Sequence, residues 1–506
     1  MNVKSISRTV GLILLITGIF QLFPLLIAVI DHEPRNILAY IESLCLILLV
    51  GSALLLFSRG GNRMFSAQEG FAATGLSWIF MSAFGALPFF LSGQIPSYVD
   101  AFFEMVSGFT TTGASILTDV EALSRCNLFW RSFSHWLGGM GVLVFVLAVS
   151  PMANGDSGDA LHLLRAESPV VPGARKNGGT GIYLMRAESP GPSVDKLTPH
   201  LRQTAMILYG IYILLTALCI VCLLLGGMPV FDSFCIAFGT AGTGGFAIKN
   251  SSMGGYSYFL QTVVTVFMFL FGVNFSLYYM LLLRKFKAVF KNEELRLYFG
   301  IAAGSVVLIA INISRMYNTV CESVHHAAFQ VVSIMTTTGY GTVDFEQWPA
   351  FSKAILLSLM FIGASAGSTG GGLKVSRVLL LMKSIRRTIR KALHPRRVQP
   401  VYMDGRAVSE EVCDNVNAYL AIYCVILVLS FAVISVDGFS IGTNFSAVAS
   451  CFNNIGPGFE LVGATQNFSI YSDLSKIILS LDMLLGRLEI FPLLLLLSPD
   501  TWSRRR

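Results

Sequence analysis

The residues best suited to chemistry lie in a short stretch rich in glycine and threonine, residues 333–342, with Thr337-Thr338-Gly339-Tyr340-Gly341 at its centre. Glycine allows backbone conformations that a Cβ would penalise, so consecutive carbonyl oxygens can point in one direction. A row of such oxygens can replace the water shell of a monovalent cation. The stretch therefore indicates ion binding by the backbone, with no covalent step.

The central five residues differ at one position from the Thr-Val-Gly-Tyr-Gly loop whose carbonyl oxygens replace the hydration shell of K⁺ in potassium channels. One such match would also arise by chance. A filter of this kind needs a membrane and three further loops around the same axis, so its prediction depends on the rest of the chain.

The composition places the chain in a membrane. Of its 506 residues 54% are hydrophobic and 13% are charged, and its apolar runs are too long for a soluble core. Ten stretches are predicted to span a bilayer: 10–30, 37–57, 71–91, 132–150, 204–226, 259–283, 297–314, 351–373, 416–436 and 477–498. The formal net charge is +7, but Lys and Arg cluster beside these spans, which indicates topology in lipid and no nucleic-acid partner.

Four further segments are moderately apolar but too short to cross: 98–110, 229–241, 321–336 and 441–452. Each ends in a polar motif that contains glycine. Such segments are typical of half-helices that enter the membrane and turn back, which is tolerated where the irregular backbone lines a cavity. The C-terminal ends of these half-helices would point inward and favour a cation.

Aligning each half-helix on the glycine that follows it brings four motifs into register, around Gly113, Gly244, Gly339 and Gly456. This predicts four repeats of helix, half-helix, loop and helix around a pore. The alternative, glycine and threonine used only for helix packing, does not explain four motifs in register. The predicted filter residues are Thr111, Thr112, Gly113, Thr243, Gly244, Thr337, Thr338, Gly339, Asn454, Ile455 and Gly456.

The predicted fold class is therefore an all-α integral membrane protein, with two N-terminal helices followed by four pseudo-fourfold repeats around a central pore. The predicted regions are 1–69 (two-helix region), 70–150 (repeat one), 151–203 (cytoplasmic link), 204–296 (repeat two), 297–380 (repeat three), 381–415 (basic cytoplasmic link) and 416–506 (repeat four). Lys and Arg concentrate in alternate connections, most densely at 374–397. The positive-inside rule then puts both termini in the cytoplasm.

The eighth predicted span contains a run of glycines and small polar residues that cannot maintain a firm helix. It is predicted to break and to face the aqueous pathway. A phosphate-binding loop is the rival interpretation, but the Gly-Lys-Ser/Thr ending and a preceding strand are both missing. The residues of the predicted loop are Gly363, Ala364, Ser365, Ala366, Gly367, Ser368, Thr369, Gly370, Gly371 and Gly372, followed by Lys374.

The last span carries Asp482, Arg487 and Glu489. Ionisable groups at this depth usually face a pathway or one another. Two interpretations stay open at this point: Arg487 forms a stabilising ion pair with Asp482 or Glu489, or it acts on ions in the pathway. For His135, His325 and His326, helix packing or hydrogen bonding is predicted in preference to metal ligation. Phe275 fits both a pore lining and a packed core.

The motifs, the helix count and the order of elements resemble the Trk/Ktr/HKT superfamily of cation transporters. The two additional N-terminal helices resemble its bacterial Trk-type potassium uptake pore subunits. The resemblance implies a pore formed within one chain, K⁺ as the principal substrate and a homodimer. It also implies that Gly113, Gly244, Gly339 and Gly456 are filter glycines. Some relatives that favour Na⁺ have Ser at the first of these positions, so Gly113 supports K⁺.

The same resemblance makes residues 363–372 an intramembrane gating loop below the filter and Arg487 a cation-repelling barrier. It further implies a bacterial inner-membrane location and a cytosolic ring of nucleotide-binding, TrkA-like subunits that senses NAD(H) or ATP and ADP. The basic link at 374–397 is a predicted docking surface. For the duplicated Arg-Ala-Glu-Ser-Pro segment at 163–190, an inserted solvated link is favoured over a second docking element. With no Rossmann unit in this chain, no organic cofactor is expected in it; K⁺ is the substrate.

Three functions remain to be distinguished. The first is a K⁺ uptake pore, with passage of Na⁺ or Rb⁺ left open. The second is a proton- or Na⁺-coupled cation transporter, which only Asp482 and Glu489 support. The third is a membrane enzyme, which is disfavoured because clustered acids, histidines or a nucleophile near an interface are missing from the sequence.

Overall fold

A computed structural model of the chain describes residues 3–59, 67–141, 201–394 and 399–499. Its helices, in chain order, are α1 (Val3–Ile30), α2 (Pro34–Phe57), α3 (Ala67–Gly85), α4 (Leu87–Leu91), α5 (Tyr98–Phe109), α6 (Arg125–Gly139), α7 (Leu201–Leu225), α8 (Val230–Gly242), α9 (Tyr258–Phe271), α10 (Phe275–Leu282), α11 (Phe286–Lys291), α12 (Glu293–Ile313), α13 (Val320–Met335), α14 (Ala350–Ile362), α15 (Val375–Leu393), α16 (Glu410–Ile434), α17 (Ile441–Phe452), α18 (Asp473–Arg487) and α19 (Phe491–Leu497). The duplicated segment at 163–190 and most of the predicted link 151–203 lie outside the described residues.

The two N-terminal helices form an antiparallel pair, as predicted. Small residues let α1 and α2 approach closely: a Cβ on Gly11 would lie 3.0 Å from the Gly51 carbonyl oxygen. Helix α1 also packs on α3 and α6. Leucines such as Leu48 and Leu49, which are 56% and 67% exposed, lie on the outer surface, where a membrane protein meets lipid.

Four units of similar order follow. Each contains one of the half-helices α5, α8, α13 and α17, flanked by longer helices. The predicted half-helices agree with these bounds to within two residues. All four are strongly buried, because each lies between the helices of its own unit and those of its neighbours.

Six helical segments in the described part of the chain are long and apolar enough to cross a membrane: α1, α2, α3 with α4, α7, α12 and α16. Helices α9 and α10 would together form a seventh span, but they meet at a 90° bend. Ten spans were predicted. The prediction of a continuous helix was wrong for 259–283 and 477–498, whereas 351–373 breaks as predicted. Helix α14 ends at Ile362, where the glycine-rich run begins, and α18 ends at Arg487, beyond which Ile490 has a φ of +69°.

The sequence did not predict a small β-hairpin in the basic link. Strands β1 (Val401–Met403) and β2 (Arg406–Val408) pair antiparallel. The turn carboxylate of Asp404 accepts hydrogen bonds from the Asn292 side chain and the Glu293 amide, both at 2.8 Å. The hairpin is therefore attached to the first turn of α12.

Candidate functional site

The four half-helices end in the same way. The first left-handed residue has a φ of 56° at Thr111, 55° at Thr243, 58° at Thr337 and 56° at Asn454. The next amide donates to the carbonyl oxygen five residues earlier, in the pairs Thr112–Ser107, Gly244–Gly239, Thr338–Ser333 and Ile455–Ser450. A residue with a Cβ is strained in this conformation, and such strain clusters at functional sites.

Each loop has a glycine with positive φ two residues further on: 80° at Gly113, 73° at Gly245, 84° at Gly339 and 104° at Gly456. The predicted register was therefore wrong by one residue in the second loop. Gly245, and not Gly244, is equivalent to the other three glycines. Gly244 takes the position of Thr112, Thr338 and Ile455, and it remains within the loop.

The four loops close into a ring. A Cβ built on each glycine would strike a carbonyl oxygen of the next loop. A Cβ on Gly113 would lie 2.0 Å from the Gly244 oxygen, and one on Gly245 would lie 1.9 Å from the Thr338 oxygen. The corresponding distances are 2.1 Å from Gly339 to the Ile455 oxygen and 2.8 Å from Gly456 to the Thr112 oxygen. The contacts run from the first loop to the fourth and back to the first. Only glycine fits at these four positions, and the ring brings four backbone segments around one axis.

Hydroxyl groups behind the ring hold the loops in shape. Ser333 donates to the Tyr340 carbonyl oxygen at 2.6 Å, and the equivalent Ser450 donates to the Gly456 carbonyl oxygen at 2.7 Å. The second loop has Gly239 at this position, and the hydroxyl of Tyr340 occupies the space, 2.2 Å from where a Cβ would lie. The tyrosine of the third loop thus supports the second.

His135 of α6 joins the first two units. Its Nδ1 lies 2.8 Å from the Gly108 carbonyl oxygen, and its Nε2 accepts from the Phe246 amide at 3.2 Å. A carbonyl oxygen accepts only, and an amide N–H donates only, so the ring is neutral with its proton on Nδ1. The predicted hydrogen-bonding role of His135 is confirmed. Likewise His325 bonds to Gln261 at 2.7 Å and His326 to Thr342 at 3.1 Å.

The glycine-rich run forms a compact loop between α14 and α15, and its ends meet where Gly363 and Gly372 leave no room for a Cβ. The bend between α9 and α10 anchors it. The Ser365 amide donates to the Gly272 carbonyl oxygen, and the Phe275 amide donates to that of Gly367, both at 3.0 Å. Phe275 itself is buried at 1% exposure, in agreement with a packed core.

A buried carboxylate holds the same loop from a second side. Glu294, which is 2% exposed, accepts from the Ala366 amide at 2.7 Å. It also hydrogen-bonds the Asn274 side chain and the Ser376 backbone. The neighbouring Glu293 pairs with Lys383 of α15. Sequence reasoning missed Glu294, since an acid in the first turn of a helix is ordinarily only a favourable charge for the dipole.

The middle of the loop lies directly against the ends of the third and fourth half-helices. The Gly371 amide donates to the Thr337 hydroxyl at 2.6 Å. A Cβ on Gly370 would lie 2.9 Å from the Thr336 carbonyl oxygen, and one on Gly371 would lie 2.4 Å from that of Asn453. The Lys374 ammonium donates back to the Gly370 carbonyl oxygen. The predicted gating residues are thus adjacent to the ring of loops.

Arg487 connects the loop to the first unit. Its guanidinium donates to the Thr369 carbonyl oxygen at 2.8 Å, to the Thr111 hydroxyl at 3.2 Å and to the Gly139 carbonyl oxygen at 2.7 Å, and also to the carbonyl oxygen of Gly138. One side chain therefore bridges the base of the first loop, the end of α6 and the glycine-rich loop.

The two acids of the last predicted span, Asp482 and Glu489, have partners on other helices. Glu489 forms an ion pair with Arg377 of α15. Asp482, 1% exposed, accepts from the Ser430 hydroxyl at 2.6 Å through one oxygen. Among the described residues no hydrogen-bond donor reaches its other oxygen.

Fold and site together define a class: a multi-pass, all-α membrane protein in which four re-entrant loops of one chain meet in a ring of glycines above a glycine-rich intramembrane loop.

The comparisons with known proteins specify the class further. The family model described as "TrkH: Cation transport protein" matches residues 32–504. The chain is 34% identical to the Trk system potassium uptake protein TrkH of Salmonella typhimurium, covering 99% of this chain and 100% of that protein. It is 32% identical to the Trk system potassium uptake protein TrkG of Escherichia coli K12, with 99% of both chains covered. The crystal structure of the potassium transporter TrkH from Vibrio parahaemolyticus is similar at a TM-score of 0.84 and 31% identity, over 99% of this chain and 100% of that one. The chain belongs to the TrkH family of cation transport proteins.

Proposed function

We propose that the chain is the permeation pore of a bacterial potassium uptake system. In this proposal K⁺, and with less preference Rb⁺ or Na⁺, loses its water to carbonyl oxygens of the four loops. The membrane potential drives it inward, with about 2.3 kcal/mol per charge for each 100 mV. The single observation that carries the proposal is the closed cycle of contacts through Gly113, Gly245, Gly339 and Gly456, because four loops in a ring supply the cage that a dehydrated cation needs.

The intramembrane loop serves as the gate in this proposal. Residues 369–371 lie against the inner ends of the loops, and their retreat would open the pathway. Arg487 acts in two ways. Its charge repels cations from the constriction, and its hydrogen bonds to Thr111 and Thr369 hold filter and gate together.

The proposed setting is the bacterial inner membrane, with both termini in the cytoplasm, and the proposed assembly is a homodimer. The basic helix α15 connects directly to the gating loop at Lys374. This supports a cytosolic, TrkA-like nucleotide-binding ring as the regulator, bound to α15 and the hairpin. Any NAD(H), ATP or ADP would bind that ring, and K⁺ is the substrate of this chain.

A second candidate function, proton-coupled uptake, has one observation in its favour. Asp482 is a buried carboxyl group in α18 with a hydrogen-bond donor at only one oxygen among the described residues. A buried acid in this state can exchange a proton. It lies beside α16, however, and its described hydrogen bond leads away from the ring.

Growth on limiting K⁺ tests the proposed function. Expression of the chain, together with a TrkA-like partner, in a bacterium lacking its own K⁺ uptake systems should restore growth at low K⁺. The Gly339→Ser variant, with matched membrane abundance, should not, because its side chain would occupy the space of the Ile455 carbonyl oxygen. Equal growth with both proteins would contradict the proposal. Proton coupling would be favoured if an imposed pH gradient changed the amount of K⁺ taken up and if Asp482→Asn abolished that dependence.

A further inference from the structure

A buried ion pair lies behind the first two filter loops and has no part in the function proposed above. Glu104 of α5 and Arg131 of α6 are 0% and 2% exposed, and Arg131 Nε lies 2.8 Å from Glu104 Oε1. A buried ion pair is costly to desolvate. Replacing such a pair with well-packed hydrophobic residues often leaves the stability of a protein unchanged or increases it. Stability alone is therefore a weak explanation for charges at this place.

The carboxylate holds the first loop. Glu104 accepts from the Ser115 hydroxyl at 3.0 Å and from the Ile116 amide at 3.0 Å. Both donors lie just beyond Gly113. The carboxylate thus fixes the outer half of the first loop to its own half-helix.

The guanidinium holds the second loop at the same time. Arg131 donates to the Ala247 carbonyl oxygen at 3.2 Å, and its Cζ lies 4.1 Å from the centroid of the Phe246 ring. It also donates to the Ser115 hydroxyl at 3.3 Å. Arginine is suited to this because its planar fork donates in several directions and stacks on an aromatic ring at once. Arg131 therefore joins the segments that follow Gly113 and Gly245.

The second loop depends on this support more than the others do. It has Gly239 where the third and fourth loops have the serines that bond their own backbone. Nine residues before the filter glycine, where the first unit has Glu104, the other units have Ile236, Gln330 and Ala447. Gln330 donates to the Val343 carbonyl oxygen of its own loop at 3.2 Å. In that position only the first unit has a charge, and it uses the charge to orient an arginine toward a neighbouring loop.

We propose that Glu104 and Arg131 are specificity-determining positioning residues, which fix the spacing between the first and second loops and so favour K⁺ over the smaller Na⁺. The inference rests on the proposed function as a cation pore. Neither side chain contacts the ion. Both act through the backbone that follows the filter glycines, so their loss changes which ion is preferred.

Three variants in proteoliposomes test the proposal, with initial uptake of K⁺ and of Na⁺ measured over a range of concentrations. Glu104→Gln removes the charge that orients Arg131. Arg131→Lys keeps the charge and the ion pair but cannot also reach Ala247 and Phe246. Each should lower the ratio of K⁺ to Na⁺ uptake about tenfold, mainly through a higher KM for K⁺, a change equivalent to about 1.4 kcal/mol. Ser115→Ala, which removes the hydroxyl shared by both residues, should lower the ratio about threefold.

The ratio is independent of the amount of folded protein, so a merely structural role would leave it unchanged. Arg125→Gln is the matched control, since Arg125 lies on the same helix but pairs with Asp31 at the surface; its ratio should equal that of the unmodified chain. Unchanged ratios in folded Glu104→Gln and Arg131→Lys would overturn the proposal. If neither variant folds, Ser115→Ala decides by the same criterion. Absence of K⁺ uptake by the unmodified chain would instead contradict the proposed function.

Discussion

At the scale of the residue, two glycines of one motif have different environments. Gly339 has a φ of +84°, and a Cβ there would lie 2.1 Å from the Ile455 carbonyl oxygen, whereas the nearest atoms to a Cβ on Gly341 lie at 3.8 Å. Gly339→Ala should therefore lower K⁺ uptake at least about tenfold, because backbone strain of this kind costs about 1–3 kcal/mol even before the clash. Gly341→Ala should keep most of the uptake. Flux assays at equal reconstituted protein measure both, and equal loss in the two variants would show that the ring is built differently.

Arg487 allows its charge and its hydrogen bonds to be separated. Arg487→Ala removes both and should raise K⁺ flux several-fold, since the barrier and the link between Thr111 and Thr369 are lost together. Arg487→Lys keeps the charge but cannot reach all of these acceptors. The K⁺ flux through this variant should therefore lie between that of the unmodified chain and that of Arg487→Ala. Single-channel or liposome flux recordings give the order. Reduced flux in folded Arg487→Ala would contradict the barrier role.

Glu460 lies in the connection that follows the fourth loop and gives a pH-dependent prediction. The Ser440 and Thr443 hydroxyls donate to its carboxylate and lower its pKa from the ordinary value of 4.5. A lowered pKa in the folded state stabilises the fold above the unfolded pKa, and the contribution is lost as the pH falls through the folded pKa. The Tm of Glu460→Gln in detergent should thus be lower than that of the unmodified chain at about pH 7, and the difference should shrink as the pH falls below 4.5. A difference that is independent of pH would contradict the assignment.

The four half-helices and the glycine motifs that follow them could be predicted from the sequence, because a short apolar segment followed by a glycine motif is visible as a pattern. The register of the second loop could not. Gly242, Gly244 and Gly245 are all available there, and the choice depends on where α8 ends and on which glycine meets the Thr338 carbonyl oxygen. The roles of Glu104, Arg131 and Glu294 were also hidden, since their partners are between 11 and 116 residues away.

At the scale of the element, the intramembrane loop depends on Glu294 of α12. Glu294→Ala removes the acceptor of the Ala366 amide, a hydrogen bond to a charged group worth about 1.5–3 kcal/mol. The closed loop should lose stability, and K⁺ flux should rise about tenfold or more. Glu293→Ala is the matched control. The carboxylate of Glu293 is next to Glu294 in the chain, but it pairs with Lys383 and makes no described bond to the loop. An equal effect of both changes would show that the helix end as a whole, and not the loop contact, sets the flux.

Elements also show where hydropathy misleads. The C-terminal ends of α1, α2 and α16 were predicted to within two residues, although their starts lie three to seven residues earlier than predicted. The predicted spans at 259–283 and 477–498 are instead broken, and the break in 259–283 provides backbone groups for the glycine-rich loop. The Gly272 carbonyl oxygen accepts from the Ser365 amide, and the Gly367 carbonyl oxygen accepts from the Phe275 amide. A local average of apolarity does not record such tertiary bonds.

At the scale of the whole molecule, four non-identical units form one ring. The third loop is the most regular, with Ser333 on Tyr340. The fourth relies on Asn454, whose side chain donates to the Thr112 hydroxyl at 2.9 Å and to the Met483 carbonyl oxygen at 2.8 Å. The second is supported from outside by His135, Arg131 and Tyr340. Under our proposals, this asymmetry places regulation and selectivity on different sides of the ring, with the glycine-rich loop against the ends of the third and fourth half-helices and the ion pair behind the first and second loops.

Ion flux through the purified chain tests the central claim most directly. The chain, with residues 365–369 either present or deleted, is reconstituted into liposomes with an imposed inside-negative potential and no gradient of H⁺ or Na⁺. We expect the logarithm of the K⁺ concentration ratio to rise in proportion to the potential. Accumulation should be faster in the deletion variant, and Gly339→Ser should abolish it in both. Accumulation that requires an H⁺ or Na⁺ gradient, or that persists unchanged in Gly339→Ser, would contradict the account of a four-loop pore closed by its own intramembrane loop.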